Sequence, residues 1–247
     1  MKTINIKQKL EELGISPDSV IMGDFDYIGR FTAERQRGPD DPNYKKYGAF
    51  YRSNYERGIL IYHLIRHYNL TSMLEIGFGR GYATFCAARA FYDAGIAGKI
   101  VTVDPQIDEN FIKMLQSVFP KEWFDFITFT KGTSAQALPT INEKFDLVYI
   151  DGDHSYEGTK LDWELTKDKW NKCMLFDDYH LPTKAADPSI KCRELIDSID
   201  DPSKELIILD RRMFFDDRQF PDSAIDYGQV LLTKSAALEN MEPRDEW

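Results

Sequence analysis

Cysteine is scarce: Cys86, Cys173 and Cys192 are the only three in 247 residues, and no two fall in a Cys-x-x-Cys spacing. An odd count without paired spacing argues against a disulfide framework. No run approaches the ~20 consecutive apolar residues that a membrane span requires. The opening residues MKTINIKQKLEELG mix charged and apolar positions and lack the apolar core of a signal peptide. A soluble protein of a reducing compartment, the cytoplasm, is therefore expected. Positive charge is also short, with 31 Lys and Arg against 41 Asp and Glu, a net charge of −10. Such a chain is ill suited to gripping a phosphate backbone over a broad surface, so neither nucleic acid nor membrane is expected as a partner. A homo-oligomer stays open.

What is present is enough for a core: 43% of residues are hydrophobic and 13% aromatic. Residues 5–13 read as a short helix ended by Gly14 and Pro17. From Met22 to about Arg52 the sequence looks irregular and holds seven aromatic residues. It reads as a lid or a mobile arm, and the lid is preferred because aromatic rings are costly to leave solvated. The division expected is an N-terminal helix and lid or arm segment over 1–53 and the main domain over 54–247.

Residues 54–68 form a helix with Ile61, Leu64, Ile65 and Tyr68 on one face. Strands are then predicted at 72–76, 99–104, 124–130, 145–151, 172–177, 204–210 and 228–234. Helices are predicted between them at 82–94, 109–119, 155–169 and 189–199. Short β-rich runs separated by helices imply βαβ units in an α/β three-layer sandwich, with a mostly parallel, seven-stranded Rossmann-like sheet. The last strand lacks a clear helical connection and is expected to enter antiparallel.

Two constellations carry chemistry. The first strand runs into Glu75-Ile76-Gly77-Phe78-Gly79-Arg80-Gly81-Tyr82, and the second ends in Asp104-Pro105. Alternate glycines allow a sharp turn and close approach of a ligand. An acid at the end of the second strand can accept both hydroxyls of a ribose. Tyr82 stands where a dinucleotide fingerprint requires Gly or Ala, so a nucleoside cofactor without phosphates fits better. The second constellation is Tyr149-Ile150-Asp151-Gly152-Asp153-His154 after the fourth strand and Phe176-Asp177-Asp178-Tyr179-His180 after the fifth. Neighbouring strand ends would gather Asp151, Asp177 and Asp178. Carboxylates that close raise one another's pKa unless a cation lies between them. Hard oxygen ligands select Mg²⁺ or a similar divalent ion. The plainer alternative is that these acids only form turns and cap the following helices.

LEIGFGRGYAT followed by VTVDP resembles the first two motifs of class I S-adenosylmethionine-dependent methyltransferases, a likeness spanning about residues 55–235. The layout IDGDHSYEG…DDYH resembles the metal-dependent O-methyltransferase branch that includes the macrocin and aminocoumarin enzymes and the protein named cephalosporin hydroxylase. The resemblance implies S-adenosylmethionine bound by Glu75, Gly77, Phe78, Gly79, Gly81, Asp104, Thr133, Ser134 and Asp151, with Gly132-Thr133-Ser134 beside the adenine. It implies a metal on Asp151, Asp177 and Asp178, with Mg²⁺ or another divalent cation as the ion. A base at Asp153 or His154 would take the proton of a hydroxyl on a small molecule or sugar; His154 is preferred, since a fourth carboxylate risks being drawn into coordination.

Other side chains carry weaker readings. His180 reads equally as a pocket or a loop residue. His63 and His67, four apart on a helix, read as a solvated or cap-side pair, and Cys86 as core. Phe50, Tyr51 and Tyr55 read as a cover over the cofactor or as helix packing. The acceptor pocket would draw on 22–52, the loop after Asp178 and 211–227, with Arg30, Arg35, Arg37, Lys184, Arg211 and Arg212 among its cationic residues. Rival functions are a glycosyltransferase using Asp151-Gly-Asp153 as its DxD, and a non-catalytic S-adenosylmethionine-binding protein. An iron oxygenase is disfavoured because no His is followed two residues later by Asp or Glu.

Overall fold

Runs such as Phe145–Ile150 are apolar at every position or nearly so, the pattern of a strand covered on both faces. The computed structural model describes residues 1–20, 22–32, 56–181, 189–209 and 227–234. Its strands are β1 (Lys2–Asn5), β2 (Ser72–Ile76), β3 (Lys99–Asp104), β4 (Ile127–Lys131), β5 (Phe145–Ile150), β6 (Trp170–His180), β7 (Glu205–Ile208) and β8 (Tyr227–Thr233). They form one sheet in the order β1-β7-β8-β6-β5-β2-β3-β4. Only β8 runs against the rest, inserted antiparallel between β6 and β7.

The helices are α1 (Ile6–Glu12), α2 (Met22–Thr32), α3 (Glu56–His67), α4 (Tyr82–Asp93), α5 (Glu109–Gln116), α6 (Lys121–Phe124), α7 (Ser134–Ala137), α8 (Tyr156–Thr166) and α9 (Cys192–Ser198). Period-two alternation sends Leu147, Tyr149, Cys173 and Leu175 into the core shared with α1 to α6. Val148, Ile150, Met174 and Phe176 enter the opposite core with α7 and α9. This is the three-layer sandwich expected.

Three expectations need correction. The sheet has eight strands, not seven: Lys2–Asn5 pairs parallel with β7, Lys2 opposite Glu205. So short an edge strand shows no alternation to read; ion pairs of Lys2 and Lys9 with Glu205 fasten it. The segment read as irregular from Met22 begins as a helix, with Phe25, Ile28 and Thr32 buried at helical spacing. Its remainder, with Arg35, Arg37, Phe50 and Tyr51, lies outside the described residues, as do Tyr55, Lys184, Arg211 and Arg212. The strand expected at 124–130 starts only at Ile127, because Lys121–Phe124 forms a helical turn. Among the described residues no helix is long and apolar enough to cross a membrane. All three cysteines are free and buried.

Candidate active site at the carboxyl ends of the strands

From β2 the chain moves through β3 and β4 on one side and returns as β5 on the other, so the β2–β5 seam is a topological switch point. Main-chain bonds extend the ladder past the strand ends. Gly77 N–H donates to Val103 O at 2.9 Å, Asp151 N–H to Ile76 O at 2.8 Å and Gly132 N–H to Asp104 O at 3.2 Å. The glycine turn, Asp104, Gly132 and Asp151 therefore share one rim.

The glycines do different jobs. Gly77 has φ +92° and lies so close to β5 that a Cβ would stand 1.9 Å from Asp151 O. Gly81, at φ +85°, opens α4 with the Phe78 ring where its Cβ would be. Gly79, at φ +51°, has nothing within 4 Å of its Cβ position, so the turn is open on that side. Phe78 is buried and packs edge-on against Phe129, so its ring faces the core and only its main chain lines the turn.

Asp104 Oδ2 accepts the Gly79 N–H at 2.9 Å and Oδ1 the Gln106 N–H at 2.6 Å. Each carboxylate oxygen can accept twice, so Asp104 fixes the turn and keeps acceptor capacity for a ribose. Glu75 is buried beneath, its Oε2 accepting the hydroxyls of Thr84 and Thr102. Burial pushes its pKa up to about 7, although both threonines favour the ionised form. Thr133 caps α7, its N–H bonded to Gln136 Oε1 at 3.0 Å. Ser134 hydrogen-bonds buried Asp162, whose pKa burial raises to about 6.

At the end of β6 a bulge opens between Phe176 and Tyr179, and Asp178 takes φ +53°. Asp tolerates this left-handed state better than most residues, and the bulge turns two adjacent acids in different directions. Asp178 Oδ2 pairs with His154 Nδ1 at 2.8 Å and Oδ1 with His180 Nε2 at 3.5 Å. One ligand atom each from Asp151, His154 and Asp178 lie within 4.8 Å of one another, the only such group among the described residues. The Asp178 bond holds His154 protonated, its pKa pushed up to about 11. Burial opposes ionisation of Asp178, but its two histidines override it and keep the carboxyl well below the usual range.

Asp177 is turned the other way. Its Oδ2 accepts the Tyr149 hydroxyl at 2.5 Å and Arg57 Nη1 at 3.2 Å. Its Oδ1 accepts Gln229 Nε2 at 3.2 Å and the Tyr227 hydroxyl. Arg57 Nη1 also stands 3.7 Å from Asp151 Oδ2. The acid trio is thus divided: Asp151 and Asp178 share a space with His154, whereas both oxygens of Asp177 are engaged inside the sheet. Burial and the charge of Asp177 push the pKa of Asp151 up, and Arg57 opposes them.

Asp153 points out to solvent and its Oδ1 accepts the Ser155 N–H at 2.9 Å. It serves the turn into α8 and lies outside the group formed by Asp151, His154 and Asp178. His63 is not solvated, as expected, but buried, and burial lowers its pKa to about 4. Arg57, Tyr149, Tyr227 and Gln229 were not anticipated. Tyr149 shares a strand face with Asp151, and Tyr227 and Gln229 are the polar residues at alternate positions of β8, a signal that period two could have given. Arg57 offers no comparable signal within its helix.

Residues 74–179 match the family described as a methyltransferase domain. Over that span, under half of its length, the chain is similar to a methyltransferase domain. Its Gly77–Gly81 turn, Asp104 and acid cluster all lie within that span. Among curated proteins, none matches the chain in sequence. Solved structures share the fold. The O-methyltransferase TomG from Streptomyces achromogenes, involved in tomaymycin synthesis and in complex with SAM, is 15% identical with a TM-score of 0.52, covering 85% of this chain and 90% of that one. The O-methyltransferase from Bacillus cereus in complex with SAH is 16% identical, TM-score 0.55, covering 93% and 97%. Cofactor-bound Rv0187 from MTB is 17% identical, TM-score 0.58, with the same coverage.

Proposed function

We propose that the chain is an S-adenosylmethionine-dependent O-methyltransferase acting on a hydroxyl of a small molecule or sugar with the aid of a divalent cation. The observation that carries this reading is the clustering of Asp151, His154 and Asp178 at the same rim as the glycine turn, with Gly77 packed against the main chain of Asp151. The methyl donor would lie over Gly79, its ribose on Asp104 and its adenine toward Thr133 and Ser134, as the neighbours named for bound SAM or SAH encourage.

Two carboxylate oxygens and, once His154 gives up its proton to make way for the ion, one imidazole nitrogen form a donor set that fits a divalent ion. Oxygen ligands suit Mg²⁺ and Mn²⁺, and the imidazole tilts the choice toward Mn²⁺. When bound, such an ion supplies charge stabilisation for a developing alkoxide. In methyl transfer the sulfonium carbon–sulfur bond breaks as the carbon–oxygen bond forms, S-adenosylhomocysteine leaves, and the hydroxyl proton passes to a base. Where the ion is held by Asp151 and Asp178 alone, His154 takes that proton once its bond to Asp178 is broken; where His154 is itself a ligand, the proton passes to Asp153. Asp153 uses one oxygen, Oδ1, in its turn and keeps Oδ2 for such a proton. The division into an N-terminal helix and lid or arm segment over 1–53 and a class I methyltransferase domain over 54–247 remains part of this proposal, with β1 joining the sheet and α1 and α2 its core. A cytoplasmic location is part of it too, in keeping with three buried free thiols.

The test uses methyl-labelled S-adenosylmethionine with a panel of phenolic and sugar hydroxyl compounds, with Mg²⁺ or Mn²⁺ and with excess chelator. Label moves to an acceptor only when the ion is present, and Asp178→Asn abolishes the transfer. Transfer undiminished by chelator would contradict the metal part of the reading.

A further inference from the structure

Carboxylates gathered at a strand end need a compensating cation, and this chain brings one of its own. Arg57 reaches from α3 into the cluster, with Nη1 3.2 Å from Asp177 Oδ2 and 3.7 Å from Asp151 Oδ2. Its guanidinium lies 5.6 Å from the Tyr82 ring, and its Nε is buried without a hydrogen-bond partner. A guanidinium cannot shed its charge at any ordinary pH, so it is a permanent occupant of the inner half of the cluster. Asp177, held by Tyr149, Tyr227 and Gln229 as well, is the anchor that keeps it there.

We propose that Arg57 is the resident counter-cation of Asp151 and Asp177 and sets the affinity of the site for a divalent ion. The ion is confined to the outer half, Asp151, His154 and Asp178, and it must share Asp151 with a fixed positive charge. Like charges that share one carboxylate repel at this short range even in a partly hydrated site, so removing the guanidinium tightens ion binding. Asp177 takes part only as the partner of Arg57. The inference rests on the divalent-ion reading of the proposed function.

The experiment measures free Mn²⁺ by electron paramagnetic resonance during titration of the full chain without cofactor. The variants are Arg57→Gln, Arg57→Met and Arg57→Lys, each checked for wild-type circular dichroism. The two charge-free variants are expected to bind Mn²⁺ about tenfold or more tightly than wild type, and Arg57→Lys within about threefold of it. Either charge-free variant alone suffices if the other fails to fold. Wild-type binding that is unchanged or weakened in Arg57→Gln or Arg57→Met overturns the role of Arg57 and leaves the ion reading standing. No Mn²⁺ binding by wild type or any variant overturns both. Binding seen only without the Arg57 charge supports the proposal in its strongest form.

Discussion

Gly77 and Asp151 meet across the switch point so closely that a methyl group on the first would stand 1.9 Å from the carbonyl oxygen of the second. The contact ties the cofactor turn to the acid cluster through main chain alone. Gly77 also needs its positive φ of +92°, which an L side chain adopts at a cost.

Substituting two glycines of the same turn should therefore separate architecture from binding. Gly77→Ala meets both strain and backbone overlap and is expected to lose roughly 2–4 kcal/mol of stability, read as a fall of several degrees in melting temperature. Gly79→Ala carries only about 1 kcal/mol of strain, since its Cβ position is open. It should fold well but bind S-adenosylmethionine about tenfold or more weakly, because the methyl enters the space assigned to the ligand. A Gly79→Ala chain with wild-type affinity would move the ligand elsewhere.

The two adjacent aspartates predict unequal losses. Asp177→Ala strands Arg57, Tyr149, Tyr227 and Gln229 in a buried setting, and a loss of about 3 kcal/mol or more is expected in urea unfolding. Asp178→Ala leaves two partly exposed histidines that water can reach, and the loss should be clearly smaller. Equal losses would contradict the division of the acid trio.

Glu75 gives a pH signature. Its folded pKa, about 7, lies above the ordinary carboxylate value of 4.5, so ionisation is disfavoured in the folded state. Stability is therefore lost progressively as pH rises from the unfolded pKa through the folded one, up to about 3 kcal/mol for a shift of this size. Glu75→Gln escapes that loss. Its melting temperature relative to wild type, without cofactor, should rise by several degrees between about pH 5 and about pH 8. A constant difference would mean that Glu75 is ionised at no cost.

Much of this was legible in the sequence, for stated reasons. Apolar runs divided by ten-residue helices specify a doubly covered parallel sheet, and glycines directly after a strand mark the tight turn at its rim. Asp104 was legible because position at a strand end fixes its direction. The division between Asp177 and Asp178 was not, since a one-residue bulge with a left-handed φ at Asp178 decides it. Nor was Arg57, whose partner Asp177 lies 120 residues away. β1 escaped because its edge pairing depends on Glu205, far along the chain.

In the proposed function a nucleoside methyl donor sits over Gly79 against Asp104. Calorimetric titration of S-adenosylmethionine into wild type and Asp104→Ala measures this without knowledge of the acceptor. Saturable binding to wild type, weakened about tenfold or more in the variant, is predicted, because the ribose acceptor and the brace of the turn are lost together. Equal affinity in the two proteins would contradict it.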